Sequence, residues 1–274
     1  MRTAFLPRAA IAAAALFAAS GAFAQDNCPY RGDLDAQFCD ADRDLVADTP
    51  TDPKRLRNPS TLVFAFTPVE DPAIYEKLFR PFMAHLGACL DRKVVFFPVQ
   101  SNAAQIEAMR SGRLHIAAFS PGPVNFAVNL SGAVPFAIRG NAEGSVGMNL
   151  KMIVRKESPY QKLDDLKGKR IAHTSPSSNS GNLAPRALFP ELGLTPDKDY
   201  KVVYSGKHDQ SILGVKTGDY DAAPVASDVL QHMTERGVVK ADDFRVLYTS
   251  GKFPTDAYAY AHNLEPALQS KIKQ

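Results

Sequence analysis

Two α/β lobes with a ligand cleft at their hinge are the fold this sequence predicts, on three observations. From Thr61 onward, short β-branched and aromatic runs alternate with helical stretches, the pattern of βαβ units and largely parallel sheets. The runs fall into two sets: TLVFAF, KVVFFPV and LHIAAFS come first, then RIAHT, YKVVYSG, YDAAPV and FRVLYTS. Between the sets lies SVGMNLKMIVRKES, too long and too strand-like for a turn, which reads as a crossing between lobes. RVLYTSGKFPTDAYAYAH has the strand character for the return. The expected divisions are a signal peptide at 1–24, an irregular acidic extension at 25–60, a first lobe at 61–148 plus 249–274, and a second lobe at 149–248.

The opening residues MRTAFLPRAAIAAAALFAASGAFA join Arg2 and Arg8 to an apolar run and end in the small-residue triplet Ala22-Phe23-Ala24. That is the composition of an export signal, with cleavage expected before Gln25. The apolar run is too short to span a bilayer, and Cys28 lacks the small apolar residues that precede a lipidated cysteine. The mature chain is therefore expected to be soluble, unlipidated and outside the cytoplasm. Of 32 basic residues, losing Arg2 and Arg8 leaves 30 against 29 acidic ones, so no basic footprint for nucleic acid survives.

The extension, residues 25–60, is acidic and spotted with proline, and it holds two of the three cysteines. In an exported chain Cys28 and Cys39 are expected to form a local disulfide, and Cys89 to be a buried small hydrophobe. Within DADRDLVAD, Asp40, Asp42 and Asp44 alternate and Asp48 follows four further on, a spacing that can present carboxylate oxygens to one hard cation. The segment resembles the calcium-binding aspartate repeats of thrombospondin type 3, with Arg43 and Leu45 where glycine would ease the turn. Two readings stand: a structural Ca²⁺ site, or a solvated acidic loop held by the disulfide.

In open α/β sheets ligands bind beyond the carboxyl ends of strands, so the cleft-facing loops should be 67–71, 119–123, 175–182, 205–209 and 224–228. The third is the most informative. SPSSNSGNLAP follows RIAHT and opens a helix whose Pro185 is tolerated in the first turn. One serine would suffice to cap that helix. Ser178, Asn179 and Ser180 together, with Gly181 allowing close backbone approach, instead suit a small tetrahedral oxyanion at a helix start. The spaced glycines and lysine of a nucleotide P-loop are absent from this stretch. His208 and Asp209 open the next helix, and Asp221 and Asp228 flank the strand YDAAPVAS. Asp228 is placed to favour a cationic group or a protonated oxygen.

From SPYQKLDDLKGKRIAHTSPSSNSGNLAPRALFPELGL through GKHDQSILGVKTGDYDAAPV, the chain resembles the phosphate, phosphite and phosphonate-binding periplasmic proteins of ABC importers. The likeness lies in the DLKGK turn, the serine-glycine anion loop, the Gly-x-His-Asp helix start and the Gly-Asp-x-Asp strand start. With FTPVEDP and SNAAQIEAMRSGRLHIAAFSPGP it covers about residues 61–270. It implies a type II periplasmic binding protein fold and, residue by residue, a ligand-binding hydroxyl loop at Ser178, Asn179 and Ser180 with a ligand-contacting histidine at His208. It also implies an amine-binding acid at Asp228 and a lobe-one tyrosine position at Phe119, where Ser120 or Thr67 would have to supply the missing hydroxyl.

The implied function is an extracytoplasmic solute-binding protein that takes a small phosphorus oxyanion to an ABC importer permease. It would work as a monomer, without cofactor and without catalysis. The alternatives are a ligand sensor for a membrane receptor kinase, and a serine hydrolase using a loop serine with His208 as base and Asp209 or Asp228 as orienter. No Gly-x-Ser-x-Gly elbow or H-E-x-x-H cluster accompanies the latter. Related proteins usually continue past the NLEPALQSKIKQ helix, so the complete functional form is expected to be longer than this chain.

Overall fold

The computed structural model describes residues 28–274; the signal peptide and the cleavage position before Gln25 lie outside the described residues. The first lobe begins with β1 (Thr61–Phe66), α1 (Pro72–Leu90), β2 (Lys93–Phe96), α2 (Asn102–Arg110), β3 (Ile116–Phe119), α3 (Pro121–Ser131) and β4 (Ala133–Ile138). A short ribbon, β5 (Gly140–Asn141) with β6 (Gly144–Ser145), then leads into the second lobe. There follow β7 (Gly147–Arg155), β8 (Arg170–His173), α4 (Ala184–Leu188), β9 (Lys201–Tyr204), α5 (His208–Thr217), β10 (Ala222–Ala226), α6 (Ser227–Glu235) and β11 (Phe244–Pro254). The chain returns through β12 (Ala257–Ala261) and α7 (Pro266–Ile272) to the first lobe.

Each lobe holds one five-stranded sheet, ordered β2-β1-β3-β12-β4 in the first and β11-β7-β10-β8-β9 in the second. In each sheet four strands run the same way, three of them the parallel set that the alternation predicts, and one runs against them, β12 in the first and β7 in the second. The crossing stretch SVGMNLKMIVRKES is therefore an interior strand of the second sheet and not a bare linker. The ladder between β7 and β11 continues to the pair Gly147 and Pro254, so residues 147–148 and 249–254, expected in the first lobe, hydrogen-bond into the second. Among the described residues the polypeptide crosses between sheets near 139–146 and at Thr255–Asp256.

Both faces of each sheet are covered, which explains why the strand interiors read as unbroken apolar runs such as IAAF and AAPVA. Phe64, fully buried on β1, packs against Phe79 and Phe82 of α1 with ring centroids 5.2 Å apart. In the second lobe Ile153, Ile212, Val225 and Val229 fill one face, while Met152, Ile171, Phe189 and Leu194 fill the other.

The extension is irregular and docked on the first lobe. Leu34, Phe38 and Ala47 pack on Val128 of α3, and the Asp35 amide donates to the Asn129 carbonyl at 2.7 Å. Cys28 and Cys39 form a disulfide with their Cα atoms 5.5 Å apart. Cys89, expected to be buried, is exposed in the last turn of α1 with Sγ 3.7 Å from His85 Nε2. Leu86 and Leu90 carry the inward stripe of that turn, and position 89 falls beside it on the rim.

The lobes touch. The Val69 carbonyl accepts from the His208 amide at 3.1 Å, Asn102 Nδ2 donates to Ser175 Oγ and Ser177 Oγ, and Lys207 Nζ donates to Gln100 Oε1. The buried Glu70 carboxylate pairs with Arg236 across the gap and accepts from Tyr75 Oη at 2.9 Å. Closest of all is Gly122 in the first turn of α3, where a Cβ would overlap the Ser177 carbonyl oxygen and lie 2.8 Å from the Asn179 amide. Gly122→Ala improves local helix propensity by up to about 1 kcal/mol yet forbids this approach. The variant should keep the wild-type melting temperature within a few degrees and show a larger radius of gyration in small-angle scattering; an unchanged radius would mean that Gly122 does not govern lobe closure.

Candidate functional site

A cavity of about 160 Å³ lies where the lobes meet. Each of the five loops that follow strands into the cleft contributes to its wall: Val69, Ser120, the stretch Ser178–Ser180, His208, and Ala226 with Asp228. Strands end here and helices begin, so backbone donors and short polar side chains converge from both sheets.

The serine loop leaves β8 and becomes a π-helical turn, Asn179–Leu183, that runs straight into α4. Ser178 caps this turn, its Oγ accepting from the Gly181 amide at 3.2 Å, which leaves the hydroxyl proton free for another acceptor. Gly181 is required for packing: a Cβ there would overlap Thr174 Oγ1. It brings the turn down on the end of β8, and the Thr174 amide donates to the Gly181 carbonyl at 3.2 Å. Behind the loop, His173 Nδ1 donates to Asn182 Oδ1 at 2.8 Å and its Nε2 accepts from Tyr200 Oη at 2.8 Å, while Asn182 Nδ2 holds the Pro176 carbonyl. The loop is thus braced from below, and its small donors face the cavity.

His208 is the central group. It is 4% exposed, and its Nδ1 accepts the Ala226 backbone N–H at 3.2 Å. An amide N–H can only donate, so Nδ1 is unprotonated and the ring proton sits on Nε2. That Nε2–H points at Ser178 Oγ and Ser180 Oγ, 3.4 and 3.5 Å away, both at the outer limit of a hydrogen bond. Burial lowers the His208 pKa to about 4, so the ring is a neutral donor at ordinary pH. Asn179 adds a side-chain amide nitrogen that is buried without a partner. Four donors, two hydroxyls, an imidazole and an amide, with loosely held or unmet hydrogen bonds are the arrangement an oxyanion would complete.

Two carboxylates line the same cavity, Asp228 in the first turn of α6 and Asp256 at the second crossing. Loss of solvent pushes the Asp256 carboxyl up to about 6, with Arg139 opposing and Asp228 adding to the rise. Tyr75 completes the wall from α1; burial and the adjacent Glu70 carboxylate raise its pKa, so its hydroxyl stays protonated.

Ser178, Asn179, Ser180, His208, Asp228 and Ser120 thus share one cavity. Thr67 and Phe119 do not line it. Thr67 is fully buried, with Oγ1 3.1 Å from Ser120 Oγ, and it supports Ser120 from behind. Phe119 ends β3 opposite Ala257, and its ring belongs to the first-lobe core, because alternation along the strand turns position 119 inward. The first-lobe tyrosine that lines the cavity is Tyr75, one turn into α1. Sequence reasoning also missed Arg139, His232 and Asp256. Arg139 and Asp256 sit at the two crossings, and their signal was available: a polar residue at a chain crossing faces the cleft.

The hydrolase arrangement is not assembled. No carboxylate orients His208, whose Nδ1 faces an amide, and the protonated Nε2 cannot accept a serine proton. Asp209 bonds the Gln210 amide, and the aspartates at 40, 42, 44 and 48 lie in the extension, outside this cavity.

Three buried histidines, His173, His208 and His262, have pKa values lowered to about 4 from an ordinary 6.5. Below pH 6.5 the unfolded chain takes up these protons first, so their contribution to stability is intact above pH 6.5 and declines as pH falls toward 4. Each contributes up to about 1.4 kcal/mol per pH unit in the middle of that window, and Asp256 works in the opposite direction. Urea unfolding at several pH values should give a shallower dependence for His208→Gln by about one proton. Equal slopes in variant and wild type would show that His208 is not a buried neutral ring.

The family described as "ABC transporter, phosphonate, periplasmic substrate-binding protein" matches residues 64–274. The chain is 26% identical over 215 residues to the phosphonates-binding periplasmic protein of Escherichia coli strain K12, covering 77% of this chain and 64% of that one, so it spans under two thirds of that relative's length. It is also 26% identical over 227 residues to the phosphate-import protein PhnD of Mycolicibacterium smegmatis, covering 78% and 70%. Among solved structures, a binding protein component of an ABC phosphonate transporter from Pseudomonas aeruginosa superposes with a TM-score of 0.72 at 22% identity, covering 78% of this chain and 72% of that one. PhnD1 of Prochlorococcus marinus in complex with methylphosphonate superposes with a TM-score of 0.68 at 20% identity, covering 79% and 80%. The fold is that of the type II periplasmic binding proteins, and the chain belongs to the phosphonate-binding family of periplasmic substrate-binding proteins of ABC transporters.

Proposed function

We propose that the protein captures a small phosphorus oxyanion, a phosphonate, phosphite or phosphate, between its lobes in the periplasm and delivers it to the permease of an ABC importer. The observation that carries this reading is the tautomer of His208: a buried neutral imidazole aims Nε2–H at the mouth of a hydroxyl-rich helix start. Neutral donors hold an oxyanion without a fixed countercharge, and binding then needs no proton exchange with solvent. Ser178, Asn179 and Ser180 with His208 would grip the oxyanion from the second lobe, and Ser120 and Tyr75 would meet it from the first. Closure of the lobes would hold the ligand, and reopening would release it without any bond being broken. The basic, alanine-rich leader supports export, with the signal peptide removed before Gln25. No helix among the described residues is long and apolar enough to cross a membrane.

Asp228 and Asp256 supply the second half of the recognition. Two carboxylates in the same cavity as the donors favour a ligand that also carries a cationic group, so 2-aminoethylphosphonate heads the panel, followed by methylphosphonate, phosphite, phosphate and sulfate. Each charge-assisted hydrogen bond is worth roughly 1.5–3 kcal/mol, so Ser178→Ala combined with Ser180→Ala should weaken the best ligand by about two to four powers of ten in calorimetry. Unchanged affinity in that double variant would reduce the loop to a helix cap. Asp228→Asn should weaken the aminophosphonate and leave methylphosphonate within about threefold, less than 1 kcal/mol. Equal losses for both ligands would remove Asp228 from amine recognition.

A further inference from the structure

The extension carries a cluster of charge that the ligand cleft does not use. Asp40, Asp42 and Asp44 each offer a carboxylate oxygen, and these oxygens lie within 4.8 Å of one another. Among the described residues, no Lys, Arg or His side chain forms an ion pair with Asp40, Asp42, Asp44 or Asp48. Arg43, inside the loop, is turned away, with its guanidinium 4.8 Å from the centre of the Tyr30 ring. Asp40 is the decisive residue. It is only 1% exposed; its Oδ2 accepts from the Leu45 amide at 3.2 Å, and its Oδ1 is buried with no hydrogen-bond partner. A buried carboxylate oxygen left bare beside two more carboxylates is costly unless a cation completes it.

The backbone has the shape that such a cation needs. Counting Asp40 as the first position, the aspartates occupy positions one, three and five, and Leu45 occupies the sixth with a left-handed φ of 73°. In helix-flanked calcium loops that sixth position is the sharp turn that glycine usually takes, and the seventh, here Val46, supplies a main-chain carbonyl. Asp48 at the ninth position is engaged differently, with Oδ2 accepting from the Ala41 amide at 2.8 Å, so it ties the end of the loop to its start. Asp42 and Asp44 hold the intervening amides of Asp44 and Val46, which keeps their carboxylates turned into the loop. All available ligands are hard oxygens on a flexible segment, the set that suits calcium over zinc, and its irregular spacing suits calcium over the strict octahedron of magnesium.

We propose that residues 40–48 form a calcium-binding loop that locks the disulfide-bonded extension onto α3 of the first lobe. The proposal stands apart from the ligand cleft, and its test does not depend on which oxyanion is bound. Calorimetric titration of chelator-stripped protein with CaCl₂ should show one site with a dissociation constant of about 10⁻⁴–10⁻³ M, and magnesium should bind more weakly. Calcium at about tenfold over that constant should raise the melting temperature. It should also slow tryptic cleavage at Arg31 and Arg43, and chelator should reverse both effects. Asp42→Asn combined with Asp44→Asn keeps acceptors for the two amides and should weaken calcium at least about tenfold. The loop is a plain acidic turn if CaCl₂ gives the wild-type protein neither heat nor thermal shift, or if the double variant binds calcium as the wild type does. Should the double variant fail to fold, equal tryptic cleavage of the wild type with and without calcium overturns the proposal, and slower cleavage with calcium sustains it. Magnesium binding as tight as calcium overturns the assignment of the ion.

Discussion

His208 is the point on which the two lobes and the site converge. Its amide donates to the Val69 carbonyl of the first lobe, its Nδ1 takes the Ala226 amide at the end of β10, and its Nε2–H faces the serine loop beyond β8. One residue thereby joins a first-lobe loop to three strand ends of the second. Because Ala226 can only donate, the ring has a single tautomer available, and burial keeps it neutral. An imidazolium there would need a counterion, and a ring of the other tautomer would present a lone pair to any oxyanion. Removing the Ala226 contact would release the tautomer, while burial would still keep the ring neutral.

The remaining architecture serves to hold that donor in register. Each of the two mixed sheets is packed on its own hydrophobic core, so the region between the lobes can stay polar. It consists of the Glu70–Arg236 pair, the Asn102 bridge to Ser175 and Ser177, and the close contact at Gly122. Ser120 reaches the same network through Thr67, which also bonds Asn102 Oδ1. Apart from the Glu70–Arg236 pair these contacts are neutral hydrogen bonds, each modest in energy, and this keeps opening within reach. The extension sits apart from these contacts, on the outer face of α3.

Much of this is legible in the sequence. The alternation of strand and helix patterns separates the two lobes, and the end of each parallel strand marks a cleft loop, because right-handed βαβ units place those ends on one side of a sheet. The run of small polar residues at 175–182 announces a donor-rich helix start, and the Cys28–Cys39 pair follows from two cysteines in a segment with no core of its own. These readings depend on local chemistry and on chain order, which a sequence carries directly.

What only the tertiary structure decided depends on distances between segments far apart in the chain. Phe119 and Tyr75 illustrate it: the sequence places an aromatic at the end of β3, but strand alternation turns that ring into the core and leaves the hydroxyl to a residue 44 positions earlier. The exposure of Cys89 turns on where one helix rests on its sheet, a matter of some tens of degrees of rotation that periodicity leaves open. Asp256 enters the site because the second crossing passes the cavity, and the tautomer of His208 rests on an amide 18 residues away. Composition and periodicity determined that the protein has two lobes and a polar cleft; the packing of those lobes determined which donors and carboxylates line it together, since hydrogen-bond geometry is set in space and not along the chain.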